Sequence, residues 1–253
     1  MKASKAKASI SYVNKLNVNR WMRGSKGTRY AIPRTVWLTR RSLGSMLRAY
    51  RMVYVKPKGG EKGKGVMRAR KLQGLRRYEL RFNRKTRKAY SVAALHRLIR
   101  RHKKSGAYII QQGIRMMKYR GRSFDIRVMT QRKSTKSSWV MTGMCARVAA
   151  SGLIVTNTSQ GGDVLPVWTV LRANMSRKRA RSMTGRIERL SLRIARRYAK
   201  KRSRSVVFGV DIAVDRKRRV WMLELNTKPG LVPFRYLKDK SMYRRMLKYR
   251  RRK

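Results

Sequence analysis

Only nine of the 253 residues are acidic, against 70 Lys and Arg, so the chain carries a formal net charge of +61 and must fold against its own electrostatic field. Small soluble domains usually carry a net charge of about 2 to 8. A hydrophobic share of 42% is enough for a packed core, which argues against a wholly disordered basic tail. The charge attracts nucleic acid, other polyanions and nucleotides in a salt-dependent way. It is equally compatible with a composition bias that has removed surface carboxylates without adding a function.

The places where acids survive are therefore informative. Chance puts fewer than one of the nine acids in the segment Val206–Asn226, yet it holds Asp211, Asp215 and Glu224. Asp211 lies in the apolar run Phe208 to Val214 and Glu224 in the apolar run Trp221 to Asn226. If these runs pair as a hairpin, Asp211 faces Glu224, and strand alternation puts Asn226 on the same face. Three hard oxygen donors so arranged suit Mg²⁺, which binds one or two carboxylates together with substrate phosphates. The alternative is Asp211 neutralised by a buried Arg and Glu224 capping a turn, which leaves Asn226 without a role.

Two further segments have the chemistry of an anion site. Lys56-Pro57 leads into a run carrying Gly59, Gly60, Gly63 and Gly65, where backbone N–H groups can turn toward phosphate. The run lacks the ending of a P-loop and the spacing of a dinucleotide fingerprint, so a plain hairpin explains it as well. Asp125 and Arg127 share one strand face, Arg147 follows on another strand, and Thr156-Asn157 opens a polar turn ending in Gly161-Gly162.

Periodicity outlines an α+β chain of mostly antiparallel strands. Residues 1–30 read as a flexible or loosely packed basic arm without sustained periodicity, a first lobe spans 31–110, a second spans 111–235, and 236–253 read as a basic tail. Helices are expected from Thr39 with a Ser42 cap, from Ser91 to Arg101, and from Ser176 to Arg202. Strands are expected at Met52–Val55, Tyr108–Gln111, Phe124–Thr130, Trp139–Ala149, Leu153–Asn157, Val206–Val214 and Val220–Asn226. Cys145 is the only cysteine and His96 and His102 the only histidines, which excludes an internal disulfide and disfavours a zinc site. No segment is long and apolar enough for a membrane span, so a reducing, cytoplasmic compartment is the expectation.

The order of Tyr54-Val55-Lys56-Pro57, Ile110-Gln111-Gln112-Gly113-Ile114, Phe124-Asp125-Ile126-Arg127, Ala146-Arg147, Thr156-Asn157, Gly209-Val210-Asp211 and Leu223-Glu224-Leu225-Asn226-Thr227-Lys228-Pro229-Gly230 resembles the ATP-grasp superfamily. It is most similar to the short members related to endospore coat-associated proteins. The resemblance implies an ATP-grasp fold of two α+β lobes gripping ATP. Lys56 and the loop with Gly59, Gly60, Gly63 and Gly65 would lie at the phosphates, and Gln111, Gln112 and Ile114 at the adenine. Arg127, Arg147 and Asn157 would lie near the γ-phosphate and acceptor, with Asp211, Glu224 and Asn226 holding Mg²⁺. The implied activity is a ligase that activates a carboxylate as an acyl phosphate for an amine or similar acceptor. A non-catalytic, nucleotide-binding spore protein and a polyanion-binding protein are the competing readings.

Overall fold

The computed structural model describes residues 14–59, 63–73, 77–156 and 161–250. The described residues begin with α1 (Lys15–Arg23), β1 (Thr35–Trp37), α2 (Arg40–Tyr50), β2 (Met52–Pro57), β3 (Met67–Lys71), β4 (Tyr78–Phe82), β5 (Lys85–Ala89), α3 (Val92–His102) and β6 (Tyr108–Gln112). It continues through β7 (Lys118–Tyr119), β8 (Arg122–Gln131), β9 (Val140–Val148), β10 (Asp163–Leu165), α4 (Val167–Arg172), α5 (Arg177–Ala199), β11 (Val207–Val214), β12 (Val220–Asn226), α6 (Val232–Arg235) and α7 (Ser241–Arg250).

The first sheet has the order β1-β6-β2-β3-β4-β5 and the second the order β10-β9-β8-β11-β12, with β7 beside β8. Every strand pair among the described residues is antiparallel, so the fold is α+β as expected. One face of the first sheet, carrying Val53, Val55, Met67, Leu80 and Ile110, packs on Leu43 and Leu47 of α2 and Leu95 and Ile99 of α3. Full burial of each large side chain contributes roughly 1.5 to 3 kcal/mol. Strand alternation turns the other face, with Tyr54, Lys56 and Gln111, toward the second sheet.

The second sheet is covered by α5, whose Met183, Ile187, Leu190, Ile194 and Tyr198 recur at spacings of three and four and are buried. Ser176 caps this helix through the backbone N–H of Arg179. Ser42 does not cap α2. Thr39 is the cap, accepting from the Ser42 N–H at 3.0 Å while the Ser42 hydroxyl accepts from the Thr39 N–H at 2.9 Å, a reciprocal capping box.

Three expectations are corrected. Within residues 1–30, α1 is an ordered helix with Leu16, Val18 and Met22 buried, and it packs with Ala31 and Ile32 into the core of the second sheet. Its signal was hidden because Asn19 shares the buried face, donating to the Thr35 hydroxyl at 2.6 Å. Within 236–253, α7 seats Met246 against Met129, Cys145 and Phe234, so this basic segment is held by one deeply buried side chain and its neighbours. Leu153 to Thr156 form no strand, and β10 pairs with β9 instead. The Thr156 hydroxyl is drawn inward by a carboxylate.

The lobes are joined at Gly113, immediately after β6. Its N–H donates to the Met52 carbonyl at 2.9 Å, and a Cβ there would lie 2.7 Å from that carbonyl oxygen. Backbone cannot yield as a flexible side chain does. Gly113→Ala is therefore expected to lower stability by about 1 to 3 kcal/mol, read as a lower denaturant midpoint with unchanged slope.

Candidate functional site

A cavity of about 480 Å³ lies between the facing sides of the two sheets. One wall comes from the first sheet. Tyr54 and Gln111 are register partners on β2 and β6, and Lys56 donates to Gln111 Oε1 at 2.6 Å. Burial pushes the Lys56 ammonium down to about 8, although Glu224 across the cavity partly restores it. Its folded value is below the ordinary one, so the stability it withholds at neutral pH returns as pH rises above about 8.

Gly63 and Lys64 of the glycine-rich loop reach the cavity, whereas Gly59 and Gly65 do not line it and Gly60 lies outside the described residues. Gly63 has φ of +68°, a left-handed conformation, and a Cβ there would touch the Val155 side chain at 3.3 Å. The loop thus rests on the segment after β9, across the cleft. Arg81 adds a second bridge, donating to the Gly152 carbonyl at 2.5 Å.

The opposite wall is built from cross-strand pairs. Asp125 on β8 faces Arg147 on β9, Asp211 on β11 faces Arg127 on β8, and Asp211 also faces Glu224 on β12. Arg147 donates to both Asp125 oxygens at 2.7 and 2.6 Å and to Asp211 at 2.9 Å. Arg127 holds Asp211 with its Nε and, at 3.1 Å, its Nη2, and the Thr156 hydroxyl donates to Asp125 at 2.5 Å. Two guanidiniums and two carboxylates thus form a neutral, buried network. Burial alone raises the Asp211 carboxyl, but Arg127 and Arg147 outweigh it and hold the group at about 2. Burial opposes the charge on Arg147 as well, yet Asp125 and Asp211 keep its affinity for the proton well above the ordinary value.

Glu224 and Asn226 complete this wall. A bulge at Leu223, between the pairs Asp211/Glu224 and Ile212/Met222, lets Leu223 and Glu224 both line the cavity. Glu224 lies 3.5 Å from the Lys15 ammonium of α1. The Asn226 amide nitrogen is buried and has no partner among the described residues, an arrangement that costs free energy until something satisfies the amide. Gly209, opposite Asn226, makes room for Pro229, which would lie 2.7 Å from a Cβ at that position.

The donor set fits a hard cation. Glu224, Asn226 and Asp211 each carry an oxygen able to bind it, and the Glu224 carboxylate, with one ion pair at 3.5 Å, is less committed than that of Asp211. Asp211 stands between the two readings of the sequence, since it faces Glu224 and is also paired with buried arginines. Among the described residues no three His, Cys, Asp or Glu side chains gather as a metal cluster.

Gln111, Gln112 and Ile114 all line the cavity, with Met116 and Leu223 extending the apolar patch around Ile114. The Gln112 side chain also accepts from the Arg34 N–H at 3.1 Å. Asn157 lies outside the described residues. Asp215, an outlier of the same acidic segment, is structural. It accepts from the Arg219 backbone at 2.9 Å, the Arg219 side chain at 2.8 Å and the Trp221 indole at 3.0 Å, which fixes the β11–β12 turn. Cys145 faces the core, where burial pushes its thiol up to about 12 and leaves it inert.

Lys15, Val232 of α6 and Tyr236, which caps that helix, line the cavity without having been marked by any motif, and Lys228, which lies in the closing motif, lines it without having been given a role. Among 70 cations, composition singles out no one lysine. The N-cap Asn14, which accepts from Leu16 N at 3.1 Å, was the one local signal that Lys15 begins a helix.

Residues 7–251 match the family described as YheC/D like ATP-grasp. The endospore coat-associated protein YheD of Bacillus subtilis (strain 168) is 25% identical over 224 residues, covering 87% of this chain and 49% of that protein. The chain thus spans about half the length of this relative. Among solved structures, the C-terminal domain of K. lactis Pby1, an ATP-grasp enzyme interacting with the mRNA decapping enzyme Dcp2, superposes with a TM-score of 0.53 at 14% identity, covering 92% of this chain and 68% of that one. The D-cycloserine synthetase DcsG gives 0.51 at 13% identity, covering 95% and 70%. At these identities the likeness concerns the fold.

Proposed function

The chain belongs to the YheC/D-like ATP-grasp family, and from that premise we propose that it binds ATP with Mg²⁺ between its two sheets and activates a carboxylate as an acyl phosphate. The observation that supports this best is the cavity itself. A lysine and glutamine wall faces a wall of oxygen donors, with an apolar patch at one end. Ile114, Met116 and Leu223 form a seat for a base, with Gln111 and Gln112 beside it. Lys56, Lys15 and the backbone around Gly63 hold phosphate oxygens. Glu224, Asn226 and Asp211 hold Mg²⁺, which when bound neutralises phosphate charge.

The chemistry asks for positioning and charge rather than a protein nucleophile. A carboxylate oxygen bonds to the γ-phosphorus as the bond from that phosphorus to the bridging oxygen of ADP breaks, and the electron pair leaves with ADP. An amine then attacks the acyl carbon, phosphate departs, and the amine proton passes to solvent. Arg127 and Arg147 each have five N–H groups, and the carboxylates engage those on Nε and Nη2; in this reading the remaining N–H groups meet the charge that develops on the transferred phosphoryl group. In this reading Asn157, the residue after Thr156 in sequence, serves the acceptor.

Calorimetry in high salt, which suppresses attraction by net charge alone, tests the nucleotide site. Binding that needs Mg²⁺ supports the proposal, and equal binding with and without Mg²⁺ that fades with salt sinks it. Hydroxylamine trapping of an acyl phosphate, coupled to ADP release, separates a ligase from a nucleotide-binding spore protein.

The state of Lys56 adds a prediction. Phosphate favours the charged ammonium, so ATP binding near pH 8.5 is expected to take up a proton, seen as an observed heat that varies with the buffer's ionisation enthalpy. Lys56→Gln removes that uptake and lowers affinity by at least about tenfold, as loss of a charge-assisted contact should.

A further inference from the structure

We infer that the carboxylate that accepts the phosphoryl group has an apolar, aromatic or branched-alkyl body, held on a ledge formed by Val232 of α6 and Tyr236, the residue that caps it. This inference rests on the nucleotide reading of the cavity and deepens it by assigning the substrate class.

The chain itself orders the cavity from end to end. Leu223 lies by Ile114 and Met116, Glu224 and Asn226 follow along β12, and Lys228, Pro229, Val232, Pro233 and Tyr236 come after them. With the base at Ile114 and the phosphates at Glu224 and Asn226, the α6 end lies beyond the transferred phosphoryl group.

A short surface helix normally buries one face and presents polar groups on the other. Here Leu231, Phe234 and Leu237 are buried against Met129, Cys145 and Met246, which satisfies the core. Val232 and Tyr236, one turn apart, point the other way, line the cavity and are 53% and 66% exposed. Two large apolar side chains left in solvent at the mouth of a cavity are a binding feature rather than a packing one. Ile154 and Val155 line the same cavity from the segment after β9. Lys64 and Lys228 supply cations for the acceptor's carboxylate. A small polar acid would leave the ledge wet, whereas an apolar body displaces water from it.

The test uses the full chain loaded with Mg²⁺ and ADP. Binding of hydrocinnamate and 4-methylpentanoate is compared with that of acetate and succinate by calorimetry, alongside ATP-dependent hydroxamate formation from the same acids. The apolar acids should bind at least about tenfold more tightly, the scale of discrimination by an apolar pocket. The double substitution Val232→Ser, Tyr236→Ala should erase that preference without weakening Mg²⁺-dependent ATP binding. Equal or tighter binding of the polar acids overturns the inference, as does a preference that survives the substitutions. ATP binding with no measurable affinity for any apolar acid overturns it while leaving the nucleotide site standing. Failure of ATP binding in the unsubstituted chain overturns both.

Discussion

Replacing Asp211 by alanine is expected to lower the unfolding free energy by about 3 to 5 kcal/mol, a large part of the 5 to 15 kcal/mol that holds a typical domain together. Asp211 accepts from both Arg127 and Arg147 in a buried setting, so its loss leaves two guanidiniums with a single carboxylate, Asp125, between them. Desolvation of the unpaired charge, more than the lost hydrogen bonds, sets the size of the effect. The pH dependence has a definite sign. The folded value is depressed from 3.8 to about 2, so the contribution of Asp211 is present above its unfolded value and is lost as pH falls through about 2. Denaturant titrations between pH 5 and 2 should show the unsubstituted chain losing more stability than Asp211→Ala over that range. A variant as stable as the parent would mean that the network is solvated and not the clamp described above.

Glu224→Gln is expected to behave in the opposite way. Its side chain is 32% exposed and its ion pair with Lys15 is 3.5 Å long, so the fold should lose less than about 1 kcal/mol. Mg²⁺-dependent ATP affinity should fall by about 100-fold, equivalent to roughly 2.7 kcal/mol, because a metal-binding carboxylate becomes a neutral amide. The two variants together separate a residue that builds the wall from one that uses it. If Glu224→Gln binds Mg²⁺ and ATP as the parent does, the cation is held elsewhere and the proposed site is wrong.

The parts of this molecule that were legible in sequence are those governed by local alternation. The hairpin of β11 and β12, the facing of Asp211 and Glu224 and the apolar side of α5 follow from periods of two and 3.6 residues. Partnerships across the fold were not legible. Nothing local to Asp211 told whether its oxygens meet a cation or arginines from two other strands, and both arginines arrive from β8 and β9. Lys15 stayed hidden because its helix is short and half polar, and its destination is set by where α1 docks. The ledge on α6 escaped because Val232 and Tyr236 look like core residues in sequence, and only the packing of Leu231, Phe234 and Leu237 shows which face is spare.

The contact between Lys15 and Glu224 bears on how the molecule comes into being. One partner lies in the first described helix and the other in the last strand of the second sheet, and α1 buries Val18 and Met22 in a core that also needs β11 and β12. During synthesis α1 leaves the ribosome long before its docking surface exists, and must wait as an exposed amphipathic segment. The first sheet and its two helices can close early, but the cavity can form only after β12 and α6 have emerged. A nascent chain stalled before β12 would therefore carry the lysine wall without Glu224 to face it, and with its second core open its basic segments would be free to cling to RNA.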